Sequence, residues 1–358
     1  MKADLPCTPS PRGQLSRRRF ALALPLLAGL PHLAGAATAA PAGAPALARQ
    51  SRELMGTRVD IAVPLSGAVT QQQADRAMER AFAEMQRLEA LMSRYRPDSD
   101  VARLAAAAGR QPVRVAPEVL DVLRAAQRLH QSSAGAFDPT VGALDGWHFD
   151  GAPQAVPATA EIARALRLVD GRSLVLDERA GTAYLARPGM RLDLGGVAKL
   201  PILQAGLQML AREGVPDALV NGGGDVLVAG SNHGQPWRVG VRDPAAPQRL
   251  LGVLALQGRA VVASSGDYER GFMHQGRRLH HVLDPRTGWP TRGVHGVALL
   301  ARDVDEVNGW GTALMVQGPA QAAAWSARHP GVELLVAGVD GTRWTSPGMT
   351  ARLQPVAA

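Results

Sequence analysis

Residues 218–230 read ALVNGGGDVLVAG, two apolar runs joined by the turn NGGGD at 221–225. This pattern predicts a β-hairpin, in which two antiparallel strands are neighbours in one sheet. The turn matches neither the P-loop nor the G-x-G-x-x-G fingerprint between a strand and a helix, so the standard mononucleotide and dinucleotide folds are disfavoured. Three consecutive glycines exceed what a two-residue turn requires, and we therefore expect a ligand to approach the backbone here.

The sequence on either side of this hairpin has the same character. Runs rich in β-forming residues and separated by Gly, Asp and Pro predict strands at 173–176, 218–220, 226–228, 237–241, 252–256, 260–263 and 294–300, with one helix at 200–213. Upstream, 52–65 alternates like a strand, while 71–95 and 116–135 have helical spacing. The hairpin-like spacing argues against a doubly wound parallel sheet and predicts an α+β fold with mainly antiparallel sheets and packed helices.

The first 49 residues are predicted to lie outside this fold. Residues 16–20 read SRRRF, the run 21–30 is apolar, and the small residues AGA at 34–36 suit signal-peptidase cleavage. The paired arginines are typical of a twin-arginine export signal, and the apolar run is shorter than the roughly 20 residues of a membrane span. We therefore predict a cleaved signal peptide at 1–36, a flexible linker at 37–49 and a single domain at 50–350, in a periplasmic protein without a stable membrane span.

The charge balance gives no sign of nucleic-acid binding. The formal charge is +8, and because the predicted signal carries five basic residues and one acid, the remaining chain carries +4. The basic residues are spread along the chain rather than gathered in one stripe. Lys199 is the only lysine after the signal, and the only cysteine, Cys7, lies within it, so we expect neither disulfides nor thiol chemistry in the mature protein.

The stretch RLDLGGVAKL at 191–200 leads from a strand ending at Asp193 through Gly195 and Gly196 into a helix. Such a turn leaves free backbone amides and uncovered carbonyls, to which a phosphate or a metal could bind. An ordinary glycine turn between a strand and a helix is the alternative at this point.

The segment 261–290 gathers hydroxyls, acids and histidines more densely than a surface hairpin needs. His280 or His281 could act as a general base near neutral pH, and a structural role is the alternative for either. Alternation along a strand sends the two side chains to opposite faces, so at most one is expected to face a site. The chain has neither the His and Cys spacing of zinc sites nor the G-x-S-x-G nucleophile elbow.

Asn308 and Thr312 are two polar residues one helical turn apart, in a segment, 302–319, that otherwise predicts a buried helix. Side chains at this spacing lie on one helix face and could direct both oxygens to one point. The alternatives are that Asn308 is the N-cap of a helix through Met315 and that Thr312 bonds back to its own helix.

Nine stretches across about residues 52–340 resemble the signatures of the FAD:protein FMN transferase family, the ApbE type of flavin transferase, and they occur in the family's order. They are LMGT (54–57), LMSRYRPDSDVARL (91–104), GAFDPTVGAL (135–144), DLGGVAK (193–199), ALVNGGGD (218–225), WRVGVRDP (237–244), SSGDYER (264–270), HHVLDPRTGWP (280–290) and NGWGTALMVQG (308–318). One such match would be weak, but nine in order are specific.

The resemblance implies an α+β enzyme that binds FAD and Mg²⁺ and moves the FMN half of FAD onto a Ser or Thr hydroxyl of a target protein, releasing AMP. This reaction needs a base, a cation and close backbone contact with the phosphates. The implied base, or its orienting partner, is His281, with Asp284 beside it. The implied contacts to FAD are Met55, Tyr95, Ala136, Phe137, Asp138, Asp193, Lys199 and the backbone near Leu283, and a flavin or adenine ring could stack on Tyr95 or Phe137. The implied magnesium ligands are the Gly196 carbonyl and the side chains of Asn308 and Thr312.

Two positions depart from the family pattern. Where the family usually has a metal-binding aspartate, this chain has Asn308, and loss of the negative charge should weaken Mg²⁺ binding. After DLGGVAK the family commonly continues with Gly-Tyr-Ala, whereas this chain has Leu-Pro-Ile at 200–202. We expect Pro201 to occupy the first turn of a helix, where proline is tolerated.

Three functions are compatible with this sequence. The first is flavinylation of an acceptor subunit of a membrane electron-transfer complex. The second, favoured by Asn308, is binding or delivery of flavin in the periplasm with weakened catalysis, and the third is hydrolysis of FAD to FMN and AMP.

Overall fold

The computed structural model describes residues 46–149 and 154–355, so the predicted signal peptide lies outside the described residues. In this part of the chain the strands are β1 (Leu47–Leu54), β2 (Thr57–Pro64), β3 (Val113–Arg114), β4 (Leu174–Asp177), β5 (Thr182–Leu185), β6 (Ala218–Gly222), β7 (Asp225–Ala229), β8 (Trp237–Arg242), β9 (Leu250–Leu256), β10 (Ala260–Gly266), β11 (Gly271–His274), β12 (Arg277–His280), β13 (Val294–Ala301), β14 (Glu333–Gly338), β15 (Arg343–Thr345) and β16 (Leu353–Gln354). The α-helices are α1 (Gln71–Met92), α2 (Asp100–Ala107), α3 (Pro117–Ser132), α4 (Thr159–Leu166), α5 (Gly195–Arg212), α6 (Val304–Val307), α7 (Trp310–Gln317), α8 (Ala322–Arg328) and α9 (Pro347–Arg352).

The main sheet has eight strands in the order β1-β2-β6-β7-β10-β13-β14-β15, and all of its neighbouring pairs are antiparallel. Three smaller sheets, β16-β9-β8, β3-β5-β4 and β11-β12, complete the strand pairing of the described residues. The α+β prediction with mainly antiparallel sheets is therefore confirmed. The quoted segment 218–230 is the β6–β7 hairpin near the middle of the main sheet.

The two faces of the main sheet pack against different partners, because successive residues of a strand point to opposite faces. Val220 and Leu227 join the larger core, together with the buried faces of α1 and α5. Val226 and Val228 join a second core with β8 and β9. A third cluster, with Trp147 stacked on Phe149, lies beside the β11–β12 hairpin.

Several boundaries differ from those expected. Strand β1 begins at Leu47, so the predicted linker ends too late, and the chain continues beyond 350 through the end of α9 and β16. Helix α5 begins at Gly195 rather than at 200, and the Asp193 carboxylate accepts the Gly195 N–H at 2.8 Å, which satisfies one of the free N–H groups of the first turn. Pro201 therefore lies inside the helix and not in its first turn.

The predicted helix across 302–319 is two helices, α6 and α7. They are separated by Asn308 and by Gly309, whose φ of 76° lies in the left-handed region that glycine adopts freely. Gly309 is the N-cap of α7 and Asn308 is the C-cap of α6, so the alternative in which Asn308 is an N-cap does not hold.

Candidate flavin-transfer site

The N-terminus of α5 carries the first group of candidate residues. The second carboxylate oxygen of Asp193, Oδ2, accepts a hydrogen bond from the Arg94 guanidinium at 2.7 Å, so the aspartate joins the α1–α2 loop to the helix start. Tyr95 follows directly and is 78% exposed, with the Arg94 guanidinium 5.6 Å from its ring centroid. The partial positive charge at the start of an 18-residue helix favours an anionic ligand at this position.

Gly196 lies in the most crowded part of this helix start. A Cβ atom at this position would be 3.0 Å from the Phe137 ring and 3.1 Å from Thr312 Oγ1. The structure therefore brings two of the implied metal-binding residues, Gly196 and Thr312, into contact. Phe137 is only 4% exposed, so its ring belongs to the core, and the expected stacking surface at this residue is not available.

Asn308 reaches the same helix from the other side. Its Nδ2 donates to the Val197 carbonyl at 2.9 Å. Its Oδ1 is buried and has no hydrogen-bond partner among the described residues. A buried polar atom without a partner is costly unless a ligand satisfies it, so this oxygen is a candidate ligand atom.

Lys199, one turn further along α5, pairs with the start of β7. Its Nζ lies 3.1 Å from Asp225 Oδ2, while Asp225 Oδ1 accepts the Ser264 N–H at 2.8 Å. The pair links α5, the glycine turn and β10. The sequence motifs indicated Lys199 as a candidate site residue but not Asp225, although Asp225 is the last residue of the NGGGD turn at 221–225.

The three glycines of that turn have reasons within the protein. A Cβ on Gly222 would lie 2.8 Å from the Leu203 side chain, and a Cβ on Gly223 would collide with Thr57 in the β1–β2 turn. Gly224 has a φ of 98°, which favours glycine. Neighbouring side chains occupy the space at Gly222 and Gly223, and the backbone conformation accounts for Gly224, so the expected approach of a ligand is not needed to explain the three glycines.

His281 directly follows β12. Its link to the other candidate residues is electrostatic, because the charge of Lys199 affects the pKa of its ring. Its backbone N–H donates to the Arg270 carbonyl at 3.2 Å, and its Nδ1 lies 3.4 Å from the same oxygen. Burial, together with the positive charges of Arg270 and Lys199, lowers the pKa of His281 to about 4. The ring is therefore neutral at pH 7, and an Nδ1 proton directed to this carbonyl leaves Nε2 as the acceptor.

Asp284 does not orient His281. Its carboxylate forms a two-point ion pair with the Arg286 guanidinium, with both distances 2.9 Å, and also accepts the Arg286 N–H at 2.9 Å. The aspartate thus shapes the turn that follows the histidine. The group expected beside the base is engaged elsewhere, and a backbone carbonyl takes its place.

His280 is the structural histidine of the pair. It is 2% exposed, its Nε2 lies 3.0 Å from the Thr291 carbonyl, and burial lowers its pKa. Its hydrogen bond joins the two ends of the turn that carries Asp284. The expectation that at most one histidine faces the site agrees with this arrangement.

The remaining implied contacts occupy different places around the site. Asp138 is 5% exposed and accepts hydrogen bonds from Thr140 and from the Gly171 N–H, so it caps a 3₁₀ helix instead of facing solvent. The Leu283 backbone forms a bridge with Pro290. Met55 has a φ of 54° in the β1–β2 turn, and Ala136 is buried beside Phe137.

Two cavities touch only the margin of this group, and neither is lined by His281, Lys199, Gly196, Asn308 or Thr312. One, of about 360 Å³, includes Ser264, Ser265 and the turn residue Gly224 in its lining. The other, of about 500 Å³, includes Asp138 and Arg286. Both volumes are in the range that holds small ligands.

The described residues contain no group of three or more His, Cys, Asp or Glu side chains arranged to hold a metal. Nor do they contain a helix that combines the length and apolar character of a membrane span.

The chain was compared with known proteins. The model of the ApbE family matches residues 55–336. An FAD:protein FMN transferase of Klebsiella pneumoniae is 34% identical over 68% of this chain and 77% of its own length. A protein of the same name from Treponema pallidum is 32% identical over 78% of this chain and 81% of its own length.

Solved structures agree with these relatives. The crystal structure of the ApbE protein of Thermotoga maritima superposes with a TM-score of 0.78 at 29% identity, covering 86% of this chain and all of the other. The flavin transferase ApbE of Vibrio cholerae gives a TM-score of 0.74 at 25% identity, covering 87% of this chain and all of the other. With the family model, the relatives and the fold in agreement, this chain belongs to the ApbE family.

Proposed function

We propose that this protein transfers the FMN half of FAD to a Ser or Thr hydroxyl of an acceptor subunit in a membrane redox complex, releases AMP and requires Mg²⁺. As a member of a family whose curated relatives are FAD:protein FMN transferases, the chain is a flavin transferase. The observation that best supports the full reaction is His281, whose Nδ1 lies 3.4 Å from the Arg270 carbonyl and whose ring stays neutral because burial and nearby positive charges, including that of Lys199, lower its pKa.

In this reaction the hydroxyl oxygen of the acceptor attacks the phosphorus of the FMN half. A bond forms between these atoms, the bridging P–O bond breaks, and AMP leaves. His281 Nε2 takes the hydroxyl proton. The negative charge that develops on the phosphates is stabilised by Lys199 and by the N-terminal dipole of α5.

The residues present fit a magnesium ion. The Gly196 carbonyl, the Asn308 Oδ1 and the Thr312 hydroxyl are neutral oxygen donors, and Mg²⁺ prefers oxygen ligands from few protein groups together with phosphates and water. When bound, the ion would neutralise pyrophosphate charge. The unpartnered Asn308 Oδ1 is the observation of this chain that supports it.

The location is also part of the proposal. The twin-arginine pattern at 16–20 and the small residues at 34–36 support export to the periplasm. An acceptor domain facing that compartment would then be within reach.

The test is to incubate the mature protein with FAD, Mg²⁺ and a candidate acceptor domain, and to measure the acceptor mass and the AMP released. We expect a gain of one FMN per acceptor and an equal amount of AMP. Bound flavin without AMP would exclude catalysis and favour a delivery protein. Release of AMP without acceptor modification would reduce the activity to hydrolysis.

A further inference from the structure

Pro201 changes the hydrogen bonding of the first turns of α5. In an α-helix the N–H of residue 201 would donate to the carbonyl of Val197, four residues earlier. Proline has no N–H, and its ring crowds that carbonyl. Because Pro201 lies inside the helix, the Val197 carbonyl lacks its helical donor.

The side chain of Asn308 supplies the missing donor. Its Nδ2 donates to the Val197 oxygen at 2.9 Å, and the residue is only 9% exposed. The next residue, Gly309, packs on the same turn, since a Cβ there would be 2.8 Å from a Val197 methyl group and 3.3 Å from the Gly196 oxygen. The α6–α7 junction is therefore fixed to α5 by a hydrogen bond that a carboxylate cannot donate.

The same hydrogen bond determines which end of the amide remains available. A flipped amide would bring Oδ1 against the Val197 oxygen, which is also an acceptor, so the orientation with Nδ2 on Val197 is the one that makes a bond. Oδ1 is left buried and without a partner among the described residues.

We propose that Pro201 and Asn308 act as a coupled pair. The proline frees the Val197 carbonyl, the carbonyl orients the amide, and the amide presents Oδ1 as a neutral magnesium ligand in place of a carboxylate. The two departures from the family pattern, at 200–202 and at 308, are then one coupled change: Pro201 removes a hydrogen-bond donor from the Val197 carbonyl, and Asn308 replaces it. The metal part of this inference rests on the proposed function, whereas the pairing of the two residues does not.

A double-mutant cycle on the metal-free protein tests the pairing. The four proteins are wild type, Pro201→Ala, Asn308→Asp and the double variant, unfolded by urea in EDTA. We expect Asn308→Asp alone to raise the unfolding equilibrium constant on the order of tenfold, because the buried Val197 carbonyl loses the Asn308 donor and has no helix N–H to replace it. In the Pro201→Ala background the helix N–H of residue 201 satisfies this carbonyl, and the same change should cost less than about threefold.

A second cycle and a matched proline control the result. Asn308→Ala removes the donor without adding charge, so this cycle remains informative if Asn308→Asp does not fold. Pro117 is the first residue of α3, where proline frees no carbonyl, so Pro117→Ala combined with either change at 308 should be additive. Equal costs of the changes at 308 in the wild-type and Pro201→Ala backgrounds would overturn the pairing.

Magnesium affinity tests the ligand role by a readout that packing alone would not move. Mg²⁺ is titrated into the FAD-bound proteins while the unfolding midpoint is recorded. We expect the double variant, with a carboxylate and a satisfied Val197 carbonyl, to need at least about tenfold less Mg²⁺ than wild type. If the double variant and wild type needed the same Mg²⁺ concentration, Asn308 would not be a ligand of the metal. If none of the four proteins responded to Mg²⁺, the metal part of the proposed function would be overturned. The metal-free cycles would still decide the pairing of Pro201 and Asn308.

Discussion

At the residue scale, the low pKa of His281 leads to a pH prediction. A histidine with an ordinary pKa near 6.5 loses half of its neutral form at that pH, whereas the pKa of His281 is about 4. The neutral ring is the base, so kcat/KM for the acceptor should stay constant through pH 6 and fall only as pH decreases through about 4. Measuring kcat/KM across this range checks the prediction, and an acidic limb near 6.5 would contradict it.

The same shift has a consequence for stability. Between pH 6.5 and about 4 the unfolded chain binds a proton on this ring and the folded chain does not, so stability falls as pH decreases through that window. Histidine NMR titration gives the pKa directly. A His281→Ala variant identifies the resonance, and His280 provides a second buried ring for comparison.

Asp284→Asn separates a structural role from a catalytic one. Because the Asp284 carboxylate pairs with a largely exposed Arg286, its loss should cost only about 0.5–1 kcal/mol of unfolding free energy. We expect the pKa of His281 to stay near 4, since burial and the positive charges of Arg270 and Lys199, rather than Asp284, set its value. Urea unfolding and NMR titration measure the two quantities. The matched change Arg286→Gln should have the same small effect, and a His281 pKa that moves by a full unit in Asp284→Asn would restore the aspartate as its partner.

The site residues differ in how far the sequence could predict them. The family resemblance indicated His281 and Lys199, because side chains that carry chemistry stand out by type. Partners that are backbone atoms, such as the Arg270 and Val197 carbonyls, leave no such sign in a sequence. Arg94 was missed for another reason: arginine is so frequent in this chain that one more gives no signal.

At the element scale, the glycine turn between β6 and β7 should tolerate substitution poorly. Gly223→Ala would require a φ of 64° for an L-residue and would place a methyl group against Thr57. We expect a loss of about 2–4 kcal/mol, the sum of backbone strain and overpacking. Urea unfolding measures this loss.

Gly181→Ala provides the matched control. Gly181 has nearly the same φ, 63°, but no atom lies within 4 Å of an added Cβ. Only the backbone strain of about 1–2 kcal/mol should appear there. If both variants lost the same free energy of unfolding, contact with Thr57 would contribute nothing, and backbone strain alone would explain the glycine at 223.

Elements with strong periodicity were predicted closely, and elements that depend on distant contacts were not. The apolar alternation of β6, β7 and β8 fixes them within one or two residues, because burial of alternate side chains is a local pattern. The start of α5 was missed because two glycines disfavour a helix, while the Asp193 cap and the packing of Phe137 and Thr312 stabilise it there. The break at Gly309 follows from contact with α5, which no local pattern contains.

At the scale of the whole molecule, the strand order could not be read from the sequence. Strands β6 and β2 are neighbours although more than 150 residues separate them, and such pairing is decided by packing across the fold. Contacts between distant parts of the chain also determine where the domain ends. Residues that appear irregular near the C-terminus are held by contacts with strands from the middle of the chain.

The end of the domain is therefore a testable quantity. Residue 350 was the predicted limit of the domain. However, Leu353 of β16 pairs with Leu254 of β9 and packs on the second core. Ending the chain after residue 350 removes this partly buried side chain and the end of α9, which should cost about 1–2 kcal/mol, less than the roughly 1.5–3 kcal/mol of a fully buried leucine. A chain that ends after residue 355 keeps β16 and serves as the reference. Equal midpoints for the two chains would show that β16 adds no stability and that the sequence-based limit is sufficient.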